Sequence, residues 1–315
     1  KFSMNGINVL MDINSGAVHA VDDVAYDIAD LYTEMSFDEI CDKFSDKYSR
    51  EQLKEAADEL EELKEAGMLY TEDEYEKVLE QVKNRAPVVK ALCLHVAHDC
   101  NLKCRYCFAE EGEYHGKRSL MSAEVGKKAI DFIIANSGKR RNLEVDFFGG
   151  EPLMNFDVVK EIVEYGREQE KLYDKNFRFT ITTNGILLDD EKQAYINENM
   201  HNVVLSLDGR KEINDFMRPR AGGMGSYDVI VPKFQKLAES RNQTDYYLRG
   251  TFTHNNLDFS KDIFHIADDL GFKQVSVEPV VAEDTEDYAI KEEDLETIYA
   301  EYEKIAEELY KRHKT

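Results

Sequence analysis

Cysteine is scarce in this chain, basic residues are too few to balance the acidic ones, and long apolar runs are missing. The 315 residues contain only five cysteines, three of them in one short segment, which excludes a disulfide framework and indicates a reducing compartment. The formal net charge of -24 would repel a phosphate backbone, so nucleic acid is not expected as a partner. No apolar stretch is long enough to span a bilayer and no signal peptide is visible, so we expect a cytoplasmic protein without membrane contact.

The clustered cysteines have the spacing Cys-x-x-x-Cys-x-x-Cys. Cys100, Cys104 and Cys107 follow a predicted strand directly, and Tyr106 stands just before the third of them. Three thiolates on one loop can bind three irons of a 4Fe–4S cluster. The fourth iron then has no protein ligand and can bind another molecule. Such a cluster can therefore take part in a reaction.

A structural zinc site is the alternative for this loop, since zinc also binds thiolates. Cys104 and Cys107 form one zinc-like pair, and a fourth ligand would come from a nearby side chain, namely Cys93, His95 or His98. Cys93 lies inside a predicted strand, where we expect it to pack as a small apolar residue. The additional Cys100 and the lack of a second distant Cys pair favour the cluster.

Residues 1–72 predict a small winged-helix-like α+β domain. Its predicted elements are strands at 7–10 and 17–21, helices at 24–32, 36–48 and 49–67, and a returning strand at 68–70. The third helix is rich in Asp and Glu, whose negative charges would repel the phosphates of DNA. An extended peptide bound along the exposed sheet edge fits better, and a purely structural role is the alternative. Residues 73–87 predict a charged linker.

Strands and helices alternate over residues 88–315. The predicted strands cover 88–96, 143–148, 177–183, 203–207, 246–253 and 274–280, and the predicted helices cover 121–136, 156–173, 189–199, 226–240, 258–270 and 291–313. Several strands are continuous apolar or β-branched runs, as parallel strands buried on both faces require. Six strand–helix units predict an α/β fold, a partial (β/α)6 barrel with its chemistry at the carboxyl ends of the strands.

Glycine-rich and polar motifs follow these strands. Gly149 and Gly150 end the second strand, where a missing side chain lets a ligand approach the backbone. Backbone carbonyls and Glu151, the next residue, would accept hydrogen bonds from an ammonium group. A ligand carboxylate would need an arginine fork, and the sequence offers two candidates, Arg218 and Arg249.

The cysteine loop and these motifs together resemble the radical S-adenosylmethionine (SAM) enzymes. The resemblance implies that the open iron binds SAM and that one electron cleaves its C–S bond to a 5′-deoxyadenosyl radical, which abstracts a hydrogen atom from the substrate. It implies the following cofactor contacts: Tyr106 at the adenine, Gly149, Gly150 and Glu151 at the amino group, Asn184 and Ser206 in the SAM pocket, and Arg218 or Arg249 at the carboxylate. No general base is assigned, and His95, His98 and His254 are either structural or in contact with the substrate.

The segments 7–10, 12–19 and 250–254 most resemble the maturases of SCIFF peptides, which have six cysteines in forty-five residues. This resemblance implies thioether cross-links in a ribosomally made, Cys-rich precursor peptide. Its leader would bind the N-terminal domain, and a flavodoxin or ferredoxin would donate electrons. The alternatives are sulfatase-maturase-like oxidation, peptide epimerisation and, outside enzymes, a zinc-stabilised peptide-binding protein.

The C-terminal part of this sequence differs from that of these maturases. They carry a cysteine-rich domain with auxiliary iron–sulfur clusters, whereas the cysteines here end at Cys107. Either the sequence is a piece of a longer chain, or the protein lacks auxiliary clusters. In the first case we expect binding of SAM and leader but poor cross-linking.

Overall fold

The computed structural model describes residues 1–83 and 85–313, which form two compact units. One unit comprises Lys1–Ala86 with Ala306–Thr315, and the other comprises Pro87–Ile305. This division differs from the predicted domains 1–72 and 88–315 with a linker at 73–87. The predicted linker contains a helix and groups with the first unit, as does the end of the C-terminal helix. No helix in the described part of the chain has the length and apolar character needed to cross a membrane.

The first unit contains a three-stranded antiparallel sheet and four helices. Its elements are β1 Phe2–Met4, β2 Ile7–Met11, β3 Val18–Val21, α1 Asp23–Ile28, α2 Phe37–Lys43, α3 Arg50–Glu65 and α4 Tyr75–Lys83. Ser36 and Ser49 cap α2 and α3, each within a reciprocal capping box. The predicted strand at 68–70 is wrong. Gly67 and Tyr70 have φ values of 66° and 54°, which an extended strand does not allow, and β1 supplies the third strand instead.

The second unit is built on a sheet of seven strands. They are β4 Ala91–His98, β5 Ser119–Leu120, β6 Asn142–Gly149, β7 Asn176–Thr183, β8 Asn202–Ser206, β9 Tyr246–Phe252 and β10 Val275–Pro279, in the order β10-β9-β8-β7-β6-β4-β5. The six longer strands are parallel, and the short β5 pairs with β4 in antiparallel orientation. The predicted α/β fold with a parallel sheet is confirmed.

Helices connect these strands as the sequence predicts, with one addition. The helices are α5 Ala123–Asn136, α6 Phe156–Tyr173, α7 Asp190–Asn199, α8 Lys211–Met217, α9 Tyr227–Ser240, α10 Phe259–Phe264 and α11 Leu295–His313. The short α8 was not predicted, because its seven residues are too few to show helical periodicity. The predicted helix at 258–270 continues beyond α10 as a π-helical turn, His265–Asp269.

The two faces of the parallel sheet differ in chemistry. On β6, Leu143, Val145 and Phe147 are fully buried in the apolar core that the sheet shares with its helices. The intervening Glu144 and Asp146 point to the opposite face, since side chains alternate along a strand. That second face is polar and lines a cavity. The fold therefore leaves one sheet face free for a ligand.

Candidate functional site

A pocket at the carboxyl ends of the parallel strands collects most of the predicted site residues. Its walls include the three clustered cysteines together with Tyr106, Gly149, Gly150, Asn184, Ser206 and Arg218. Thr182 and Thr183 at the end of β7 add to the same wall. Residues far apart in the sequence thus meet where loops leave the sheet, because parallel strands place their carboxyl ends at one edge.

Backbone hydrogen bonds hold the cysteine loop to the end of α8 and to the residues that follow it. The amide of Lys103 donates to the carbonyl of Pro219 at 2.8 Å, and the amide of Arg105 donates to the carbonyl of Met217 at 2.9 Å. Cys104 lies between these two anchors. The thiol positions therefore depend on a second part of the chain that also carries Arg218.

The thiolate form of two of the cysteines is disfavoured by their surroundings. Burial raises the pKa of the Cys100 thiol to about 12 and that of the Cys104 thiol to about 11. Iron ions would offset this burial with their positive charge. Among the described residues, no three His, Cys, Asp or Glu side chains converge on a point as the ligands of a single ion do. The ligands of a cluster bind separate irons and need not converge.

Two glycines let β6 approach the strand that precedes the cysteines. A Cβ on Gly150 would lie 2.2 Å from the carbonyl oxygen of Asp99, next to Cys100. A Cβ on Gly149 would lie 2.3 Å from the carbonyl oxygen of Ala97, and its φ of 128° also disfavours a side chain. These glycines are therefore required for the contact between the two loops, in addition to any contact with a ligand.

Glu151 is fully buried and bridges two strand ends. Its carboxylate accepts hydrogen bonds from the amide of Asn184, the hydroxyl of Thr183 and the amide of Leu153. Burial raises the pKa of Glu151, which these three donors oppose. The Asn184 side chain in turn donates to Asn101 at 2.8 Å. Glu151 thus fixes the pocket wall, and its predicted contact with an ammonium group stays a prediction.

Tyr106, Asp208 and Arg218 form a polar triad beside the cysteines, in which Asp208 and Arg218 are buried. The Tyr106 hydroxyl donates to the Asp208 carboxylate, with distances of 2.8 and 2.7 Å to its two oxygens. Arg218 Nη1 donates to the same hydroxyl at 2.7 Å. Sequence reasoning missed this role of Asp208 and of the Tyr106 side chain. The available signal was the Asp208-Gly209 pair one residue beyond the end of β8, where a barrel places functional groups.

The structure separates the two arginine candidates. Arg218 lines the pocket, and its Nε is buried without a hydrogen-bond partner in the part of the chain that the structure describes. Arg249 lies on β9, where its side chain is about half exposed and pairs with Glu278 at 2.6 Å. Arg218 is the better match to a carboxylate ligand, because a buried guanidinium N–H needs an acceptor. The pocket therefore fits SAM beside a cluster.

Aromatic rings cover β4 next to the cysteines. Tyr114 lies with its ring centroid 4.6 Å from that of His95 and 4.8 Å from that of His98. Both histidines thus pack in an aromatic group, with Tyr114 as a member that was not singled out from the sequence. His254 lies elsewhere, where its Nδ1 is 2.8 Å from the carboxylate of Asp294.

Removing the hydroxyl of Tyr106 tests the triad. In Tyr106→Phe, Arg218 loses its hydrogen bond to the Tyr106 hydroxyl and becomes less well oriented. We therefore expect the Kd for SAM to rise about 5- to 10-fold, which corresponds to about 1 kcal/mol. Equilibrium binding to anaerobically reconstituted protein measures this change. Iron content should stay at the wild-type level, and Tyr114→Phe is the matched control with another phenol near the pocket. Unchanged SAM affinity in Tyr106→Phe would contradict an orienting role.

Comparison with known proteins agrees with this geometry. Residues 94–248, just under half of the chain, match the Radical SAM superfamily. The matched segment contains the three cysteines, both pocket glycines and Arg218. Members of this family use a 4Fe–4S cluster and SAM.

Individual relatives are similar over parts of their length. The radical SAM cyclopropyl synthase TigE of Paramaledivibacter caminithermalis is 25% identical over 203 residues, covering 60% of this chain and 41% of that protein. A cysteine-type anaerobic sulfatase-maturating enzyme of Clostridium novyi is 29% identical over 161 residues, covering 50% and 42%. The chain thus spans about two fifths of each of these proteins.

A solved structure shares the fold over a larger part of the chain. SuiB of Streptococcus suis, bound to SAM, superposes with a TM-score of 0.56 at 17% identity, covering 96% of this chain and 67% of that chain. At this identity the superposition shows the fold alone.

Proposed function

We propose that this chain is a radical SAM enzyme that acts on a ribosomally made, Cys-rich precursor peptide and forms thioether cross-links between a Cys sulfur and a carbon atom of the peptide. The observation that carries the proposal is the single pocket that brings the thiols of Cys100, Cys104 and Cys107 together with the unpartnered Nε of Arg218. The three cysteines would hold the cluster, and Arg218 would hold the SAM carboxylate.

When bound and reduced, the cluster would supply the electron that cleaves SAM, and the two cofactors together would supply the abstraction of a hydrogen atom from the peptide. The residues of this chain hold and orient the reactants. Gly149 and Gly150 let SAM approach the backbone, and the Tyr106–Asp208 pair orients Arg218. Asp208 and Arg218 are buried, which excludes water from the side of the pocket where a reactive radical would otherwise be lost.

Thioether formation has a defined balance of atoms. The peptide loses one hydrogen atom from carbon, which leaves as part of 5′-deoxyadenosine, and the thiol loses its proton to solvent. One further electron leaves the peptide to an acceptor of the iron–sulfur class, and the new C–S bond closes the ring. Flavodoxin or ferredoxin would reduce the cluster before SAM is cleaved.

The peptide-modifying role also has support from the relatives. One is named a cyclopropyl synthase and another a sulfatase-maturating enzyme, so related domains serve more than one outcome. The sheet edge of the first unit offers a place for an extended leader, because a strand edge can pair with a further strand. Precursor binding by this unit is part of the proposal.

The mass of the product distinguishes these outcomes. The precursor encoded nearest to this gene is incubated with anaerobically reconstituted protein, SAM and a reductant, then alkylated with iodoacetamide and fragmented in a mass spectrometer. Each thioether should remove two hydrogen atoms and one alkylatable thiol. A cyclopropane would remove two hydrogens and leave every thiol, sulfatase-type oxidation would remove sulfur, and epimerisation would leave the mass unchanged. Any of these last three results would contradict thioether formation.

A further inference from the structure

A row of polar side chains crosses the free face of the sheet, one layer away from the cysteine pocket. In the strand registers, Cys93 pairs with Asp146, Asp146 with Thr180, and Thr180 with Asn202. Register partners on parallel strands point to the same face and lie about 4.8 Å apart. The four side chains therefore form one continuous row, and all of them line a cavity of about 740 Å³. We call this the polar row.

Two oxygens of the polar row are buried acceptors without donors. Asp146 Oδ1 and Asn202 Oδ1 have no hydrogen-bond partner among the residues described. Burial also raises the pKa of Asp146 to about 6, with Arg249 opposing the shift. An unpaired buried acceptor destabilises a fold, so its presence calls for a reason outside folding.

The basic side chains of the region are engaged elsewhere. Arg249 donates to Glu278 at 2.6 Å, and Arg178 Nη2 contacts His201 Nε2. On the same strand as Asp146, Glu144 pairs with Lys90 at 3.4 Å. The cavity thus presents a carboxylate to which neither arginine donates.

The polar row lies close to the cysteine pocket along the strands. Thr182 lines that pocket, and Thr180 lies two residues earlier on β7, a separation of about 7 Å at the rise of a strand. A peptide with its reacting residue at the cysteine pocket could therefore place a neighbouring long side chain against Asp146. The net charge of -24 would attract a cationic segment.

We propose that the polar row binds the ammonium group of a substrate lysine, with Asp146 and Asn202 as acceptors. An ammonium carries three donors on one atom, which suits the two unpaired oxygens and the hydroxyl of Thr180. The proposal rests on the proposed function in one respect, because it assigns this lysine to the peptide that is modified. It adds a specificity site to that function.

Alkylation of Cys93 reports whether the row is occupied. Cys93 is exposed, lines the same cavity and stands directly beside Asp146 in the strand register. Reconstituted protein is treated with iodoacetamide, and mass spectrometry follows the fragment that contains Cys93. The probes are N-acetyl-lysine methylamide and its norleucine and glutamate analogues, at equal millimolar concentrations. We expect the lysine probe alone to slow alkylation, saturably and at least threefold.

Two variants on β6 complete the test. Asp146→Asn should lose the protection by the lysine probe, whereas Glu144→Gln, which changes a paired acid in the same cavity, should keep it. Asp146→Asn should also melt at a higher temperature than wild type at pH 8, because it removes a buried ionised carboxylate, so loss of protection would not reflect unfolding. Absent protection, equal protection by all three probes, or protection that persists in Asp146→Asn would overturn the proposal.

The readout does not depend on SAM cleavage. Protection by the lysine probe in a protein that fails to cleave SAM would count against the proposed reaction alone. SAM cleavage without any protection would count against the lysine site alone.

Discussion

Cys104→Ala should reduce formation of 5′-deoxyadenosine to the level of a buffer control. Cys104 lies between the two residues that anchor the cysteine loop, Lys103 and Arg105, and the two thiolates that remain cannot hold a cluster with one open iron. Wild-type protein reconstituted under anaerobic conditions should contain about four irons per chain and form 5′-deoxyadenosine after reduction. The variant should lose most of this iron.

Cys41→Ala is the matched control for this experiment. Cys41 is a buried cysteine in the apolar core of the first unit, outside the pocket. Its replacement should leave iron content and SAM cleavage unchanged. Binding of the precursor leader should also stay near the wild-type level in Cys104→Ala. Loss of leader binding together with cleavage would mean that the three cysteines mainly stabilise the fold, as a zinc site would.

Arg218→Gln should raise the Kd for SAM about 10- to 100-fold, while Arg249→Gln should change it less than about threefold. A hydrogen bond to a charged group contributes about 1.5 to 3 kcal/mol, which corresponds to this range for Arg218. Arg249 is half exposed and pairs with Glu278, so its loss removes an ion pair that lies outside the cysteine pocket. Equilibrium binding to reconstituted protein measures both variants.

A third variant separates binding from folding at this position. Arg218→Gln leaves Asp208 buried without its cation, which also destabilises the pocket. Arg218→Lys retains the charge and should recover part of the SAM affinity, but not all, since it lacks the planar fork. A larger loss in Arg249→Gln than in Arg218→Gln would show that the carboxylate is bound from β9.

The parallel strands could be predicted closely because their apolar, β-branched runs are long and bounded by turns. The segment 68–70 was misassigned because it is short. Three apolar residues fit a strand or a buried bend equally well, and the left-handed conformation of Tyr70 decides between them. The helix α8 was missed because seven residues carry too little periodicity.

The residues that line the candidate site could be proposed from the sequence, but their contacts with one another could not. Spacing identified the cysteines, and strand ends identified the glycines, since both are local features of the sequence. The choice between Arg218 and Arg249 depends on which side chain reaches the pocket, and the sequence holds no information of that kind. The bond from Tyr106 to Asp208 joins residues 102 positions apart, so it appears only once β8 is placed beside the cysteine loop.

The central claim is that one iron of the bound cluster has no protein ligand and accepts SAM. The most direct measurement is the electron paramagnetic resonance spectrum of the anaerobically reconstituted, dithionite-reduced chain, with and without SAM. We predict the signal of a reduced 4Fe–4S cluster whose g values change when SAM is added, with a much weaker change in Arg218→Gln at the same SAM concentration. A cluster spectrum that saturating SAM leaves unchanged, or a colourless protein with bound zinc, would contradict the account.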